Sequence, residues 1–481
     1  MEPLHIDFKK NFIGRNLELE SLRKIGDSGE ASIIVMYGRR RVGKTELLEQ
    51  VFRERNLLKF EGIEGLNEKA QFSHVMNQLA KYLGDPLVSK VVIETWSEFF
   101  QLLAKYLQEG KWTLYLEELQ WLADYKSRLV SELKYVWDNY FRHNPNLIIV
   151  LCGSAPSFML EQVVHSKALY NRSQYEMHLK EFTLQETKAF LKKRSHKEIL
   201  DAYLTVGGIP EYLKWVNKDS SVFLGLCKNS FMANSFFLRE YEKIFTSSLA
   251  KNSNYRKTIE ILSKERFSTR KALLKMLKME SGGSLSSILL DLEKSGFIMK
   301  YHPFNLSGNT ILVRYAISDA YLYYYHKFIK PIQENIENGE YNENPIAAIK
   351  VDNYSKWLGF AFERFVRKNH MIIAKILGFS GVQYKSGVYF SRSTDKDIPG
   401  YQIDLIFDRA DNIYTICEIK YLQGKVSTKV IQEFERKLSL FPRKSNKTIQ
   451  KILICNEGVE PALFNRHYFD QVITADEFFD F

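Results

Sequence analysis

The run Gly38-Arg39-Arg40-Arg41-Val42-Gly43-Lys44-Thr45 has the spacing of a phosphate-binding loop: a glycine, four residues, then Gly-Lys-Thr. Glycines let successive backbone N–H groups turn inward on an anion. The Lys44 ammonium can reach the β- and γ-phosphates, and the Thr45 hydroxyl is a ligand for Mg²⁺. A helix opening at this point adds its own affinity for anions. A second acidic element is Glu117-Glu118. The first acid of such a pair holds Mg²⁺, usually through water, and the second orients or deprotonates the attacking water. The first acid is normally Asp. The extra methylene of Glu117 must be absorbed by a shift of metal or water, which would slow hydrolysis while ATP binding survives. Two solvated acids at a strand end are the plain alternative. Ser154 stands where a γ-phosphate or its water would lie, as a sensor or as a loop N-cap. Arg172 is a candidate arginine finger, in cis or toward a neighbouring subunit, although a lone arginine more often makes a surface ion pair.

Another constellation lies near the C-terminus. Asp404 is followed, after thirteen residues, by Glu418-Ile419-Lys420. Glu418 and Lys420 are two apart and share a strand face. A turn over residues 408–412 can bring Asp404 beside them. Asp404 and Glu418 would hold Mg²⁺ or Mn²⁺ through oxygen. Such a metal polarises a phosphodiester and acidifies a bound water. Lys420 would orient that water or stabilise developing charge, and Glu363, an acid among apolar helical neighbours, would complete the metal shell. An Asp…Glu-x-Lys hairpin is also a common surface salt-bridge pattern. Lys425, Lys429, Lys437, Arg443, Lys444 and Lys447 are candidate contacts to backbone phosphates, or solvated charges.

The elements that must position these residues can be read from periodicity. The apolar run 33–37 precedes the phosphate loop, and Glu46, Leu47, Leu48, Val51 and Phe52 give a helical pattern after it. Residues 112–116 form a strand ending in the two acids, and 147–152 a strand ending at Gly153-Ser154. Residues 181–199 read as one helix, followed by the breaker Val206-Gly207-Gly208-Ile209-Pro210. Three helices are then expected, marked by Tyr255, Ile259 and Leu262, by Leu273 and Leu277 after Ser268, and by Leu285, Ile288, Leu289 and Leu292 before Gly296. With strands at 297–301 and 311–315 around the polar turn 305–309, they make a winged helix-turn-helix. Its third helix could lie in a major groove. The residues expected on its exposed face (Ser284, Ser286, Ser287, Asp291, Glu293, Lys294) are weakly basic, so a protein-contact role is an equal reading. Residues 321–325 predict an aromatic helix face and 333–344 a polar linker. The period then changes to a helix at 357–366, strands at 402–407 and 413–420, a helix carrying Val430, Ile431, Phe434 and Leu438, and a strand at 451–455.

The chain has 481 residues, too many for one core, and is 45% hydrophobic with a formal net charge of +11. The basic excess fits a nucleic-acid partner. Cys152, Cys227, Cys417 and Cys455 form no CxxC, which argues against a disulfide framework or zinc site and for a reducing cytosol. No apolar run approaches the ~20 residues needed to span a bilayer, and the N-terminus has no signal-peptide core.

The segments FIGRNLELESL, IIVMYGRRRVGKTELLEQVF, LYLEELQWL and IIVLCGSAPSFM resemble the archaeal-type ATPase family of AAA+/STAND-like P-loop NTPases. The resemblance covers roughly the first half of the chain. It implies ATP and Mg²⁺ at Gly38–Thr45, Glu117 and Glu118; the family usually has Asp where Glu117 stands. The Gly-x-Pro turn at 208–210 resembles that of STAND-type lids. Asp404…Glu418-x-Lys420 with Glu363 resembles the PD-(D/E)xK nuclease superfamily, with Ile403 where the motif's Pro would stand. The whole C-terminal arrangement resembles the domain fused to archaeal-type ATPases.

The expected architecture is therefore multi-domain α/β. It comprises a P-loop NTPase (AAA+-like) domain at 1–180, a helical lid at 181–250, a winged helix at 251–330, a linker at 331–345 and a PD-(D/E)xK restriction-endonuclease-like domain at 346–481. The expected function is a cytoplasmic ATPase coupled to a metal-dependent DNA nuclease, with ATP, DNA and a further copy of the chain as partners and no membrane. The alternative is a regulatory ATP switch that binds DNA or a protein and cuts little or nothing.

Overall fold

The first sheet comprises β1 (Ser32–Tyr37), β2 (Asn56–Glu61), β3 (Trp112–Glu117), β4 (Leu147–Gly153) and the polar edge strand β5 (Ser173–His178). They pair in parallel in the order β2-β3-β4-β1-β5. Strands covered on both faces lose the polar alternation of a half-exposed sheet, and β4 is buried at every position. Ile33, Val35, Leu114, Leu116, Ile149 and Leu151 pack against Phe72, Val75, Phe99, Phe100, Leu133 and Val136 of the flanking helices. Each such side chain stabilises by about 1.5–3 kcal/mol. This core fixes the carboxyl ends of β1, β3 and β4 side by side, where open α/β sheets bind ligands.

The computed structural model describes residues 12–481 except 127, 171, 248–251, 266, 281, 305–312, 392–399 and 443. The chain divides into two compact units. One is built on the segment ending at Phe182 with Ile244–Asn252 and Ser287–Ser295, the other on Thr183–Lys243, Ser253–Ser286 and Gly296–Phe481.

In the second unit the expected single helix at 181–199 is two, Leu184–Phe190 and His196–Val206. The cause is local: Thr183 with Glu186 makes a capping box, and Ser195 caps the next helix through the Glu198 N–H. Gly207, at φ +73°, ends the second helix, and Pro210 opens the third. Tyr321, Tyr324 and Tyr325 are fully buried. Their hydroxyls donate to the Phe237 carbonyl (2.6 Å), Ser230 Oγ (3.0 Å) and Gln333 Oε1 (3.2 Å). The segment expected to be a linker is packed: Ile336 and Pro345 are buried, and Asn342 Oδ1 accepts the Ala233 N–H at 2.8 Å.

Helix Asn254–Lys264 is followed by β6 (Ser268–Thr269), by helices Arg270–Leu277 and Gly283–Lys294, and then by β7 (Ile298–Tyr301) and β8 (Arg314–Ile317); the three strands form an antiparallel sheet in the order β6-β8-β7. Leu285, Ile288, Leu289 and Leu292 are buried as their spacing predicts. Asp291 is buried too, contrary to expectation, because it lies three residues after Ile288 on the same face. The expected turn 305–309 and the start of the strand after it lie outside the described residues.

The C-terminal sheet comprises β9 (Tyr384–Ser391), β10 (Tyr401–Arg409), β11 (Ile413–Lys420), β12 (Thr448–Cys455) and β13 (Gln471–Thr474). Its order is β13-β12-β11-β10-β9, antiparallel from β9 to β11 and parallel from β11 to β13. The helix Lys429–Leu440 supplies the crossover that the parallel pair β11/β12 requires. The four cysteines are buried free thiols. Among the described residues no helix is long and apolar enough to cross a membrane.

Candidate functional site

β1 runs directly into the phosphate loop. At Gly38 a Cβ would stand 2.3 Å from the Leu179 carbonyl oxygen, so only glycine fits. Arg41 (φ +69°) and Gly43 (φ +90°) continue the turn, and the helix Lys44–Val51 follows. Lys44 is 9% exposed, and its Nζ donates to the carbonyls of Gly38 (2.9 Å) and Arg39 (3.1 Å). Arg40 lies over the Trp121 ring, 5.8 Å from its centroid. Behind the loop the buried Arg15 donates to the carbonyls of Val42 (3.0 Å) and Lys180 (2.7 Å) and stacks on Phe182. Arg15 thus pins the loop to the strand-β5 side. Sequence reasoning missed it; the one signal is an arginine directly after Gly14 in a left-handed turn.

The two acids of β3 have different surroundings. Thr45 Oγ1 and the Tyr115 hydroxyl (3.0 Å) both donate to Glu117 Oε1, and Lys59 pairs with Oε2. Burial lowers the Lys59 pKa, but the Glu117 carboxylate outweighs it and holds the ammonium above its ordinary value. Burial pushes the Tyr115 phenol well up. Lys59 and Tyr115 are direct neighbours in the β2/β3 register, a pairing invisible until the strands are aligned. Glu118, at φ +50°, turns away from the strand. Its Oε2 accepts from Gln120 Nε2 (2.7 Å) and Ser154 Oγ (2.6 Å). Ser154 therefore belongs to the Glu118 network, and the N-cap position before Pro156 falls to Ala155, without a side-chain bond.

Arg172 does not join this cluster. It forks onto Asp138 (2.7 and 2.9 Å) and donates to the carbonyls of Ala168 and Tyr170, so the expectation of a finger in cis is corrected to a structural ion pair. Asp138, on the helix Arg128–Asn139, supplies the planar acceptor that a guanidinium prefers.

Residues 12–216 match the family described as an ATPase domain predominantly from Archaea. The chain carries an archaeal-type P-loop ATPase domain. Over nearly its whole length it is similar to an uncharacterized protein of Methanocaldococcus jannaschii, at 26% identity across 89% of this chain and 92% of that one. A 46-residue stretch is 39% identical to an uncharacterized ATP-binding protein of the same organism, covering 10% of this chain and 78% of that one. Among solved structures it is similar to a Walker-type ATPase of Pyrococcus abyssi (16% identity, 67% of this chain and 99% of that one, TM-score 0.49). The ORC2 protein of Aeropyrum pernix is a further similar structure (13% identity, 70% of this chain and 98% of that one, TM-score 0.45).

The residues of the ATPase domain suit Mg²⁺ and a nucleotide. Thr45 and Glu117 offer hard oxygen donors in direct contact, and Gly43 at φ +90° supplies a backbone conformation that side chains disfavour at the cradle.

The second constellation is assembled on β10 and β11. Asp404 Oδ2 accepts the Ile419 N–H at 3.1 Å, and Asp404 Oδ1 accepts from Gln402 Nε2 at 3.1 Å. Glu418 is fully buried and receives Lys437 Nζ on both oxygens (2.9 and 2.8 Å) and Lys420 Nζ at 2.8 Å. Burial and the Asp404 charge push the Glu418 carboxyl up, against the pull of the two lysines. Burial likewise opposes the charge on Lys420, and Glu418 more than offsets it. Asp404, Glu418 and Lys420 thus come together as their spacing predicts.

Glu363 does not complete a ligand shell. Arg367, one helical turn on, takes its carboxylate at 2.8 Å and the Asp404 carbonyl at the same distance. Among the described residues no three His, Cys, Asp or Glu side chains converge to hold a metal ion. Asp404 and Glu418 have the right oxygen chemistry, but Glu418 is charge-balanced by lysines, so the expected three-acid site is not preassembled. Lys437, expected to face phosphates, is buried; it falls on the stripe Val430, Phe434, Lys437 of an otherwise apolar face. Lys447 is also committed, to Asp408 and the Arg409 carbonyl (3.0 Å). Lys425, Lys429 and Lys444 are exposed, and Arg443 lies outside the described residues.

Proposed function

We propose that this chain is an ATP-controlled nucleic-acid-processing protein in which the archaeal-type ATPase domain governs a nuclease-like C-terminal domain. The observation that carries the reading is the cluster Asp404–Glu418–Lys420 on adjacent strands β10 and β11, with Lys420 on Glu418 and Asp404 accepting the intervening Ile419 N–H, in a chain that also holds a phosphate loop. At the first site, backbone N–H groups of Gly38–Thr45 and the Lys44 ammonium bind the phosphates of ATP. Thr45 and Glu117 would hold Mg²⁺, which neutralises phosphate charge. Glu118, aimed by Ser154 and Gln120, takes a proton from the attacking water. At the second site, Asp404 and Glu418 present oxygens suited to Mg²⁺ or Mn²⁺, and Lys420 stands ready to stabilise charge on a phosphodiester. The strand order of the C-terminal sheet with its crossover helix supports the PD-(D/E)xK reading. The three helices and antiparallel sheet of residues 254–317 support a winged helix, and the helices from Leu184 to Phe231 a lid.

The test is cleavage of plasmid, linear and branched DNA with Mg²⁺ or Mn²⁺, wild type beside Asp404→Ala. Cutting by the wild type alone is expected. Absence of cutting, with ATP still bound, would leave the second reading: an ATP switch whose C-terminal domain binds without cleaving. The hold of Lys420 and Lys437 on Glu418 favours that reading, because a metal would have to displace a lysine.

A further inference from the structure

Among the helix Val351–Lys368, the small sheet β6-β8-β7 and strands β9 and β10 lies a cavity of about 620 Å³, within the range of ligand sites (roughly 300–1,000 Å³). Among the described residues its wall holds the cations Arg314, Lys327, Lys356, Arg364 and Arg367 against one carboxylate, Glu363, so it favours an anion. Rings alternate with the charges: Tyr301, Tyr323, Trp357 and Phe390 all reach the cavity.

Arg364 is the decisive residue. Its guanidinium lies 3.9 Å from the Tyr323 ring centroid and 5.9 Å from that of Trp357. Burial pulls its pKa below the usual arginine value. Among the described residues it makes no hydrogen bond or ion pair, although the group carries five donors in a planar fork. The guanidinium is only part-buried, so its donors stay open to a ligand in the cavity, and a fork of this geometry matches a phosphate. His326 gives an independent sign. It lines the same cavity, and among the described residues its buried Nε2 has no hydrogen-bond partner. Burial, with Lys330 and Lys264, lowers its pKa to about 4, so the ring is neutral at pH 7 and offers one donor and one acceptor.

The cavity also touches the acid cluster. Gln402 forms part of its wall and donates to Asp404 Oδ1 at 3.1 Å, and Arg367 joins Glu363 to the Asp404 carbonyl. A ligand seated here would leave the cavity beside Asp404, Glu418 and Lys420.

The geometry points to a binding site for one unpaired nucleotide of a nucleic-acid strand, its base on the rings and its phosphate on Arg364. The inference rests on the nucleic-acid reading of the neighbouring acids and deepens it, naming an unpaired strand as the substrate. Rings stack any base, and a base within a duplex cannot reach such a cavity without leaving its stack.

The test is fluorescence anisotropy with the full chain in EDTA, which removes the metal that cleavage needs, with Lys44→Ala run beside every protein so that any share of the phosphate loop in the binding is measured. The probe is a short 5′-phosphorylated single-stranded oligodeoxynucleotide. Competitors are the duplex of the same sequence and thymidine monophosphate. Wild type should prefer the single strand to the duplex by at least about 10-fold, and Arg364→Gln and Arg364→Lys should weaken it by about 10- to 100-fold. The unfolding temperature of Arg364→Lys identifies a folded variant. Equal affinity for single strand and duplex, or undiminished binding by folded Arg364→Lys, overturns the assignment. So does displacement by thymidine monophosphate as readily as by the oligonucleotide, which would make the ligand a free nucleotide. Binding that fails while Asp404-dependent cleavage persists overturns the cavity alone; binding retained without any cleavage overturns the nuclease reading alone.

Discussion

At the phosphate loop, the acids sit at a strand end and share their oxygens with hydroxyls: Glu117 with Thr45 and Tyr115, Glu118 with Ser154. In the C-terminal sheet, Glu418 is buried inside its strand, and its oxygens are held by ammonium groups. Lys59 and Glu117 retain 22% and 13% side-chain exposure, whereas Lys437 and Glu418 retain 8% and 0%. Water can replace Lys59 if it leaves Glu117; nothing but another ligand can replace Lys437. The first pair is half-open to water, and the second is a closed charge balance; on the proposed reading, the first would exchange partners during turnover and the second would have to be opened by a substrate or metal.

The contrast can be broken in four places. The largest effect is expected at Glu118, where Glu118→Gln should slow ATP hydrolysis by about 10²–10⁴-fold with ATP affinity unchanged in a calorimetric titration. An unaltered rate would remove Glu118 from the water-activating role. Next, Lys437→Met strips one partner from the buried carboxylate and should destabilise the fold by about 3–5 kcal/mol in urea unfolding. A cost below about 1 kcal/mol would mean that Lys420 alone balances Glu418.

A third test uses the neutral ring of His326. The unfolded residue titrates near pH 6.5 and the folded one at about 4, lowered by burial and then by Lys330 and Lys264. Between these values the unfolded chain binds the proton and the folded chain does not. Stability from this residue is therefore intact above about pH 6.5 and declines toward pH 4, by up to about 3 kcal/mol. In His326→Phe that part of the acid-side loss should vanish; identical pH profiles would contradict the burial. The smallest effect is Lys59→Met, about 1 kcal/mol at a half-open ion pair, together with a lower Mg²⁺ requirement for ATP hydrolysis, since the ammonium competes for Glu117. A raised requirement would instead make Lys59 a positioning residue for the metal ligand.

The same contrast explains what the sequence disclosed. The loop is eight consecutive residues whose spacing is itself the function, so Gly38 through Thr45 were legible, as were Glu117 and Glu118 at the end of an apolar run. Arg15, Lys59 and Gln120 were not, because their roles depend on strand register and on a loop that approaches from another element. In the C-terminal sheet the period of two and one tight hairpin disclosed Asp404, Glu418 and Lys420. Lys437 and Arg367 stayed hidden, since a lysine or arginine on an amphipathic helix looks solvated until its face is known. Glu363 reads as a ligand from the sequence alone for the same reason; in the structure its carboxylate pairs with Arg367 at i+4. The segment 331–345 looked like a linker from its polarity, yet one isoleucine at an inward position suffices to pack it.

The central claim is that the two sites act as one machine. It is tested most directly by the rate of DNA cleavage as ATP is added, wild type beside Lys44→Ala and Lys420→Ala. The account predicts a cleavage rate that changes with ATP in the wild type, does not respond to ATP in Lys44→Ala, and is lost in Lys420→Ala. Cleavage equal in all three proteins, or indifferent to ATP in the wild type, would contradict it.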